Sequence, residues 1–159
     1  MISTPTALRS WTRVSEMQIT LCEKQGFQNK KLSPQQQAGL CYERKVFKFF
    51  RRQKNLFPQL WRGDLIHSPW FKVEDERSYF LNPDILLVGP KFITVFECKL
   101  SQNYLAIAQI RKYAKLCLEY FGLPVNAIIV FRNLYQKPKL ISSLPTSPVE
   151  EILNWHLFL

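Results

Sequence analysis

Glycine is scarce in this chain, five residues in 159, and no internal repeat or low-complexity stretch accompanies that scarcity. With 47% apolar and 14% aromatic residues, the composition excludes a disordered polypeptide. It indicates one domain, 1–159, large enough to bury a single core. The four cysteines, Cys22, Cys41, Cys98 and Cys117, form no C-x-x-C pair. Their wide spacing argues against zinc or iron–sulfur ligation and for reduced, mostly buried thiols. No apolar run approaches the ~20 residues that a bilayer span requires. The first residues, MISTPTALRSWTRVSEM, lack the unbroken apolar core of a signal peptide. The expectation is a cytoplasmic protein without a membrane partner. Acidic residues are also few: 12 against 22 basic ones, for a net charge of +10. That excess favours a polyanionic partner, nucleic acid ahead of an anionic membrane surface, over a merely basic soluble protein.

What is present reads as alternating elements. Residues 1–32 form a polar arm with a weakly apolar patch at 17–22, suited to a short helix or an ordered extension. Ser33 as N-cap, Pro34 at the first helical position and Gln36 in capping-box position predict a helix running to about Asn55. Leu40, Val46, Phe47 and Phe50 form its apolar stripe, and Glu43 falls on that same stripe. Residues 65–73, 79–88 and 92–99 read as strands, with Gly89-Pro90 turning the second into the third. Ser101 is the expected cap of a second helix ending at Gly122, with Ile107, Ile110, Ala114, Cys117, Leu118 and Phe121 buried. A nearly all-apolar strand follows at 126–131, and a short helix is expected at 149–158. The order is helix, three strands, helix, strand: an α/β domain with a small mixed sheet.

Charges sit where this pattern leaves least room for them. Glu97 and Lys99 are two apart on a strand and share a face, while Cys98 points the other way into the core. A hairpin at Gly89-Pro90 brings Asp84 beside Glu97. Two converging carboxylates repel, and a hard divalent cation resolves the conflict. Asp84, Glu97 and the backbone carbonyl of Cys98 suit Mg²⁺ or Mn²⁺, with Lys99 placed to orient a hydrolytic water and to stabilise phosphate charge. Each residue alone has a plainer explanation: a turn aspartate, an exposed ion pair worth ~0–1 kcal/mol, a solvated strand end. Their joint position at the ends of adjacent apolar strands favours the metal.

Pro83-Asp84, twelve residues, then Glu97-Cys98-Lys99 resembles the signature of the PD-(D/E)xK nuclease superfamily. Gln109-Ile110-Arg111-Lys112-Tyr113 resembles the Q-x-x-x-Y motif of its RecB-like and CRISPR adaptation-nuclease branch. Gly39-Leu40-Cys41-Tyr42-Glu43 resembles that branch's G-x-x-x-E helix element. The resemblance covers residues 33–131, leaving the arm and the tail 132–159 outside. It implies a restriction-endonuclease-like αβββαβ core and a Mg²⁺- or Mn²⁺-dependent deoxyribonuclease. Asp84 and Glu97 would bind metal, Lys99 assist the water, Glu43 support the metal shell, and Gln109 and Tyr113 position the scissile phosphate. An iron–sulfur cluster, common in that branch, is not expected here because the cysteines are ungrouped.

Arg44, Lys48, Arg51 and Arg52 on the first helix, with Arg111, Lys112 and Lys115 on the second, form the candidate DNA-binding rim. Trp61, Trp70 and Phe71 could stack on bases, although core packing accounts for them better. Exonuclease or single-strand and flap cleavage is the favoured activity. A junction-resolvase-like endonuclease acting on branched DNA and a non-catalytic nucleic-acid-binding module are the alternatives. A homodimer, or docking on a replication or recombination partner, fits a chain of this size.

Overall fold

The computed structural model describes residues 17–22, 31–101, 103–133, 141–142 and 151–159. The arm lies mostly outside these residues, as does most of the tail. In chain order the elements are β1 (Gln18–Cys22), α1 (Pro34–Leu56), β2 (Asp64–His67), β3 (Trp70–Glu74), β4 (Ser78–Leu81) and β5 (Ile85–Val88). Then come β6 (Ile93–Ser101), α2 (Leu105–Phe121), β7 (Val125–Asn133), β8 (Ile141–Ser142) and β9 (Glu151–His156). The class is mixed α/β, with a six-stranded sheet ordered β2-β5-β6-β7-β9-β8 and a three-stranded sheet ordered β1-β3-β4.

Helix α1 starts as its sequence dictates. The Ser33 hydroxyl accepts from the Gln36 amide at 3.2 Å, and Gln36 Oε1 accepts from the Ser33 amide at 2.9 Å. These bonds satisfy donors that the first helical turn leaves open. The buried stripe is Tyr42, Glu43, Val46 and Phe50. Leu40, expected on it, is exposed. Gly39 has open space about its Cα, so no close backbone approach requires a glycine there.

The large sheet is covered on both faces. Tyr42, Val46 and Phe50 pack with Ile85, Leu87, Phe96, Cys98, Ile128 and Val130 on the α1 side. Ile110, Ala114 and Cys117 pack with Leu86, Ile93, Val95, Ala127 and Ile129 on the other. Strand β6 runs antiparallel to β5 and parallel to β7, so α2 is the crossover that returns the chain. Gly122, at φ 65°, ends α2 in the left-handed conformation that glycine adopts most readily.

Of the two readings left open for 17–22, the ordered extension holds: Gln18–Cys22 is a strand with an edge on β3. Three expectations are corrected. Within the segment expected as a helix at 149–158, Glu151–His156 form strand β9, recruited alongside β7. Ser101 ends β6 instead of capping α2; the α2 cap is Tyr104, with Asn103 Oδ1 accepting from the Leu105 amide at 2.9 Å.

The third correction matters most for the site. Segments 65–73 and 79–88 form one antiparallel hairpin, but each is broken in the middle. Asp64↔Val88 to His67↔Ile85 and Phe71↔Leu81 to Glu74↔Ser78 keep one register throughout. Between them, Ser68-Pro69 faces Asn82-Pro83-Asp84, and proline cannot donate to the ladder. The outer half therefore leaves the large sheet and joins β1, and Phe71 and Val73 pack into the α2-side core. Asn82 clamps the bend: its Nδ2 donates to the Pro69 carbonyl at 2.8 Å and to Ser68 Oγ at 3.0 Å. Ser68 takes a φ of 50° at this point.

Candidate metal and nucleic-acid site

The break in the hairpin creates the site. Asp84 lies immediately before β5, and extending the β5–β6 register by one step from Ile85↔Phe96 sets it opposite Glu97. Residues opposite each other on antiparallel strands point to the same face. Asp84 is held at both ends: its carbonyl accepts from the Ser68 amide at 2.7 Å, and Oδ2 accepts from the Cys98 amide at 2.7 Å. Amide and carbonyl of one strand residue project to the same side, so the Cys98 carbonyl also faces Asp84. The Cys98 side chain is buried among the α1-side core residues, as the alternation requires.

Glu97 is fully buried, at 0% exposure. Lys99 Nζ lies 2.6 Å from Glu97 Oε1, an ion pair whose approach departs from hydrogen-bond geometry. Glu97 Oε2 has no hydrogen-bond partner among the described residues. A buried carboxylate with an open oxygen is costly unless something completes it. Lys99 Nζ also donates to Gln109 Oε1 at 3.1 Å, and Gln109 Nε2 donates to the Tyr113 hydroxyl at 3.1 Å. One turn of α2 thus orients the lysine from behind. Tyr113 is buried instead of lying on a solvated helix face, and burial pushes its hydroxyl up to about 12.

Glu43 approaches from α1. Its Oε1 lies 2.8 Å from His67 Nε2, and the His67 ring stacks on Phe47 with centroids 4.8 Å apart. His67 went unread in the sequence, because a lone histidine before Ser-Pro carries no pattern; only the pairing of β2 with β5 brings it here. Burial, then the Asp84 charge, raises Glu43 to about 8 against the pull of Arg44 and Lys99. Burial also raises Asp84 and Glu97, and the negative charge of Asp84 raises Glu97 further. The Cys98 amide and Lys99 hold Asp84 down in part. Three carboxyls therefore compete for too little positive charge, the electrostatic condition that a divalent cation relieves.

Among the described residues, no three His, Cys, Asp or Glu side chains form a group that could hold a metal by themselves. Magnesium needs fewer, commonly one or two carboxylates with water and phosphate oxygens completing the shell. The open Glu97 oxygen and the Asp84 carboxylate fit that smaller requirement.

The basic residues divide between two faces. Arg44, Lys48, Arg51 and Arg52 line a hollow of about 530 Å³ on α1. On α2, Lys112 lies over the Tyr79 ring at 5.5 Å, and Lys115 pairs with Glu119 at 4.0 Å. Arg111 is half-buried on that same helix. Since the helices cover opposite faces of the sheet, the two cationic sets do not make one rim. Of the three aromatics considered for stacking, Phe71 is fully buried and Trp61 packs against Phe50 with centroids 5.0 Å apart. Trp70 alone of these lines a hollow next to Glu43.

Comparison with protein-family models, with curated proteins and with solved structures finds no match to this chain. Among the described residues, no helix is long and apolar enough to cross a membrane.

Proposed function

We propose that the chain is a Mg²⁺- or Mn²⁺-dependent deoxyribonuclease with a restriction-endonuclease-like core, related to the PD-(D/E)xK superfamily. One observation carries this: Asp84, Glu97 and Lys99 converge at a break in the sheet, with Glu97 wholly buried and one of its oxygens open. The succession α1, β2, β5, β6, α2, β7, with β3–β4 set between β2 and β5, is consistent with such a core.

In this reading Asp84, Glu97 and the Cys98 carbonyl hold the ion. Bound there, it would supply Lewis-acid stabilisation of charge on the phosphate oxygens. The chain's own groups do the rest. Lys99, fixed by Gln109, presents an ammonium group for hydrogen bonding to a water or a phosphate oxygen. Tyr113 fixes Gln109 in turn, so the pair positions the lysine and need not touch phosphate. Glu43, steadied by His67, adds a third carboxyl near Asp84, suited to bonding waters around the ion.

The test is incubation with labelled single-stranded, duplex and branched DNA in Mg²⁺ or Mn²⁺, comparing wild type with Glu97→Ala. Cleavage by wild type and its loss in a normally folded variant is the expected result. Equal inertness of the two on every substrate overturns the proposal, and a four-way junction set against a flapped duplex separates exonuclease or flap cleavage from a resolvase-like endonuclease.

A further inference from the structure

Two hollows meet beside Glu43. The first, about 530 Å³, is walled by Arg44, Lys48, Arg51 and Arg52 together with Phe47 and His67. The second, about 510 Å³, includes Arg44 and His67 again and continues past Glu43 to Trp70 and to Leu21 of β1. Arg44 and His67 line both, so the hollows adjoin as a trough along α1, and the second reaches Ser68 and Pro69, where the Ser68 amide bonds the Asp84 carbonyl at the hairpin break.

The trough has a distinctive lining. Its outer part holds, among the described residues, four cations and no acidic side chain. Among the described residues, none of those four lies within ion-pair distance of a carboxylate. The only carboxylate lining the trough among the described residues, Glu43, sits at its inner part. Beside the cations stand flat apolar surfaces: the Phe47–His67 stack and the half-buried Trp70. Cations that follow a backbone, alternating with rings that accept a base face, are how a single strand is held without regard to sequence. A duplex keeps its base faces stacked on one another, so the aromatic walls would have no base face to accept.

We propose that this trough on α1 is the binding path for single-stranded DNA, with phosphates on Arg44, Lys48, Arg51 and Arg52 and bases against His67 and Trp70. It rests on the nuclease reading for the meaning of its inner end. It deepens that reading by giving the single strand a binding path and the side from which it reaches the carboxylates. The α2 cations, on the opposite face and partly engaged, belong to no part of this path.

Binding is measured separately from cleavage, by fluorescence anisotropy of a labelled oligo-dT, a blunt duplex of equal length and an oligo-rU, in Ca²⁺ over a series of salt concentrations. The expected order is oligo-dT ahead of duplex. Arg51→Glu/Arg52→Glu should weaken oligo-dT binding by about tenfold or more and flatten the salt dependence by one to two units of slope, roughly 0.7 for each phosphate no longer neutralised. Trp70→Ala should weaken it about 5- to 100-fold, with little change in slope. Lys91→Glu, in the exposed turn between β5 and β6, should leave binding unchanged; the two exposed arginine positions keep the test sound should Trp70→Ala fold poorly. Equal affinity for duplex, tighter binding of oligo-rU, or a loss in Arg51→Glu/Arg52→Glu no greater than in Lys91→Glu overturns the path. Strand-selective binding without cleavage in Mg²⁺ or Mn²⁺ would overturn the nuclease reading and leave the path standing.

Discussion

The Cys98 amide donates to Asp84 Oδ2 at 2.7 Å, tying the strand that carries Glu97 and Lys99 to the residue where the neighbouring ladder breaks. The bond serves both fold and site, and two substitutions separate the roles. Asp84→Asn keeps an oxygen that can accept from Cys98 and should change stability by less than about 1 kcal/mol. Asp84→Ala leaves that amide without its partner and should cost about 1–3 kcal/mol in urea unfolding. Both should lower Mg²⁺-dependent cleavage at least a hundredfold. If Asp84→Asn cleaves like wild type, Asp84 is only a strand-end anchor.

The relation between those residues was partly legible in the sequence. The alternation of Glu97, Cys98 and Lys99 and the Gly89-Pro90 turn were enough to place Asp84 opposite Glu97. The site's second half was hidden because it depends on pairing at long range. His67 meets Glu43 only because β2 is an edge strand next to β5, and neither its neighbours nor its spacing signals that. Pro69 and Pro83 were visible as breakers, yet nothing local shows that they face each other across a single hairpin. The tail failed for a related reason. Ile152, Leu153 and Trp155 permit either a helix or a strand, and β7 decides by offering its open side.

Asn82 closes the bend that this facing pair of prolines creates. Asn82→Ala removes its bonds to the Pro69 carbonyl and to Ser68, and should lower stability by about 1–3 kcal/mol. Cleavage should fall with it, since Asp84 follows two residues later. Ser68→Gly is the informative contrast. It relieves a φ of 50° and removes the two hydrogen bonds between the hydroxyl and Asn82 but keeps the Asn82–Pro69 bond, so thermal denaturation should show a smaller loss than for Asn82→Ala. An equal or larger loss would place the clamp in the serine hydroxyl.

Glu43 makes stability depend on pH in a definite direction. Its carboxyl rises from an ordinary value of 4.5 to about 8 in the folded chain. The folded state then holds a proton that the unfolded state releases, so this stabilisation is full below about 4.5 and lost as pH rises through about 8. His67, lowered by burial, acts in the opposite sense only below its ordinary 6.5. Between pH 6.5 and 8, therefore, the melting temperature of metal-free protein should fall, and Glu43→Gln should flatten that fall. Saturating Mg²⁺ or Mn²⁺ should raise the melting temperature more at pH 8 than at pH 6.5, because the ion and the protons compete for the same carboxyl cluster. A metal effect that is the same at both pH values would mean that the ion binds elsewhere.

Gly39 tests which part of the G-x-x-x-E element is functional. A Cβ at this helical position meets nothing within 4 Å, so Gly39→Ala should stabilise α1 by about 0.5–1 kcal/mol and leave cleavage unchanged. Glu43→Ala, four residues on, should depress cleavage instead. Loss of cleavage in Gly39→Ala, with folding intact, would show that the open space at this position is reserved for substrate.

Lys99 faces a carboxylate on one side and Gln109 on the other, 2.6 and 3.1 Å away. Lys99→Met removes the one cation that, among the described residues, pairs with fully buried Glu97. Breaking such a pair costs about 3–5 kcal/mol when the remaining charge cannot be neutralised. Lys99 holds Glu97 down, so without it the carboxyl rises above about 8, and the loss should approach that range only above pH 8 and shrink toward pH 6. Adding Glu97→Gln to Lys99→Met should recover most of the stability above pH 8, since no charge is then left buried. Saturating divalent cation should also recover stability in the single variant, but cleavage should stay at least a hundredfold down, because the ion restores charge balance without restoring the ammonium group. Recovery of both would make Lys99 a structural counter-ion, and the water-orienting role would then have to pass to another group.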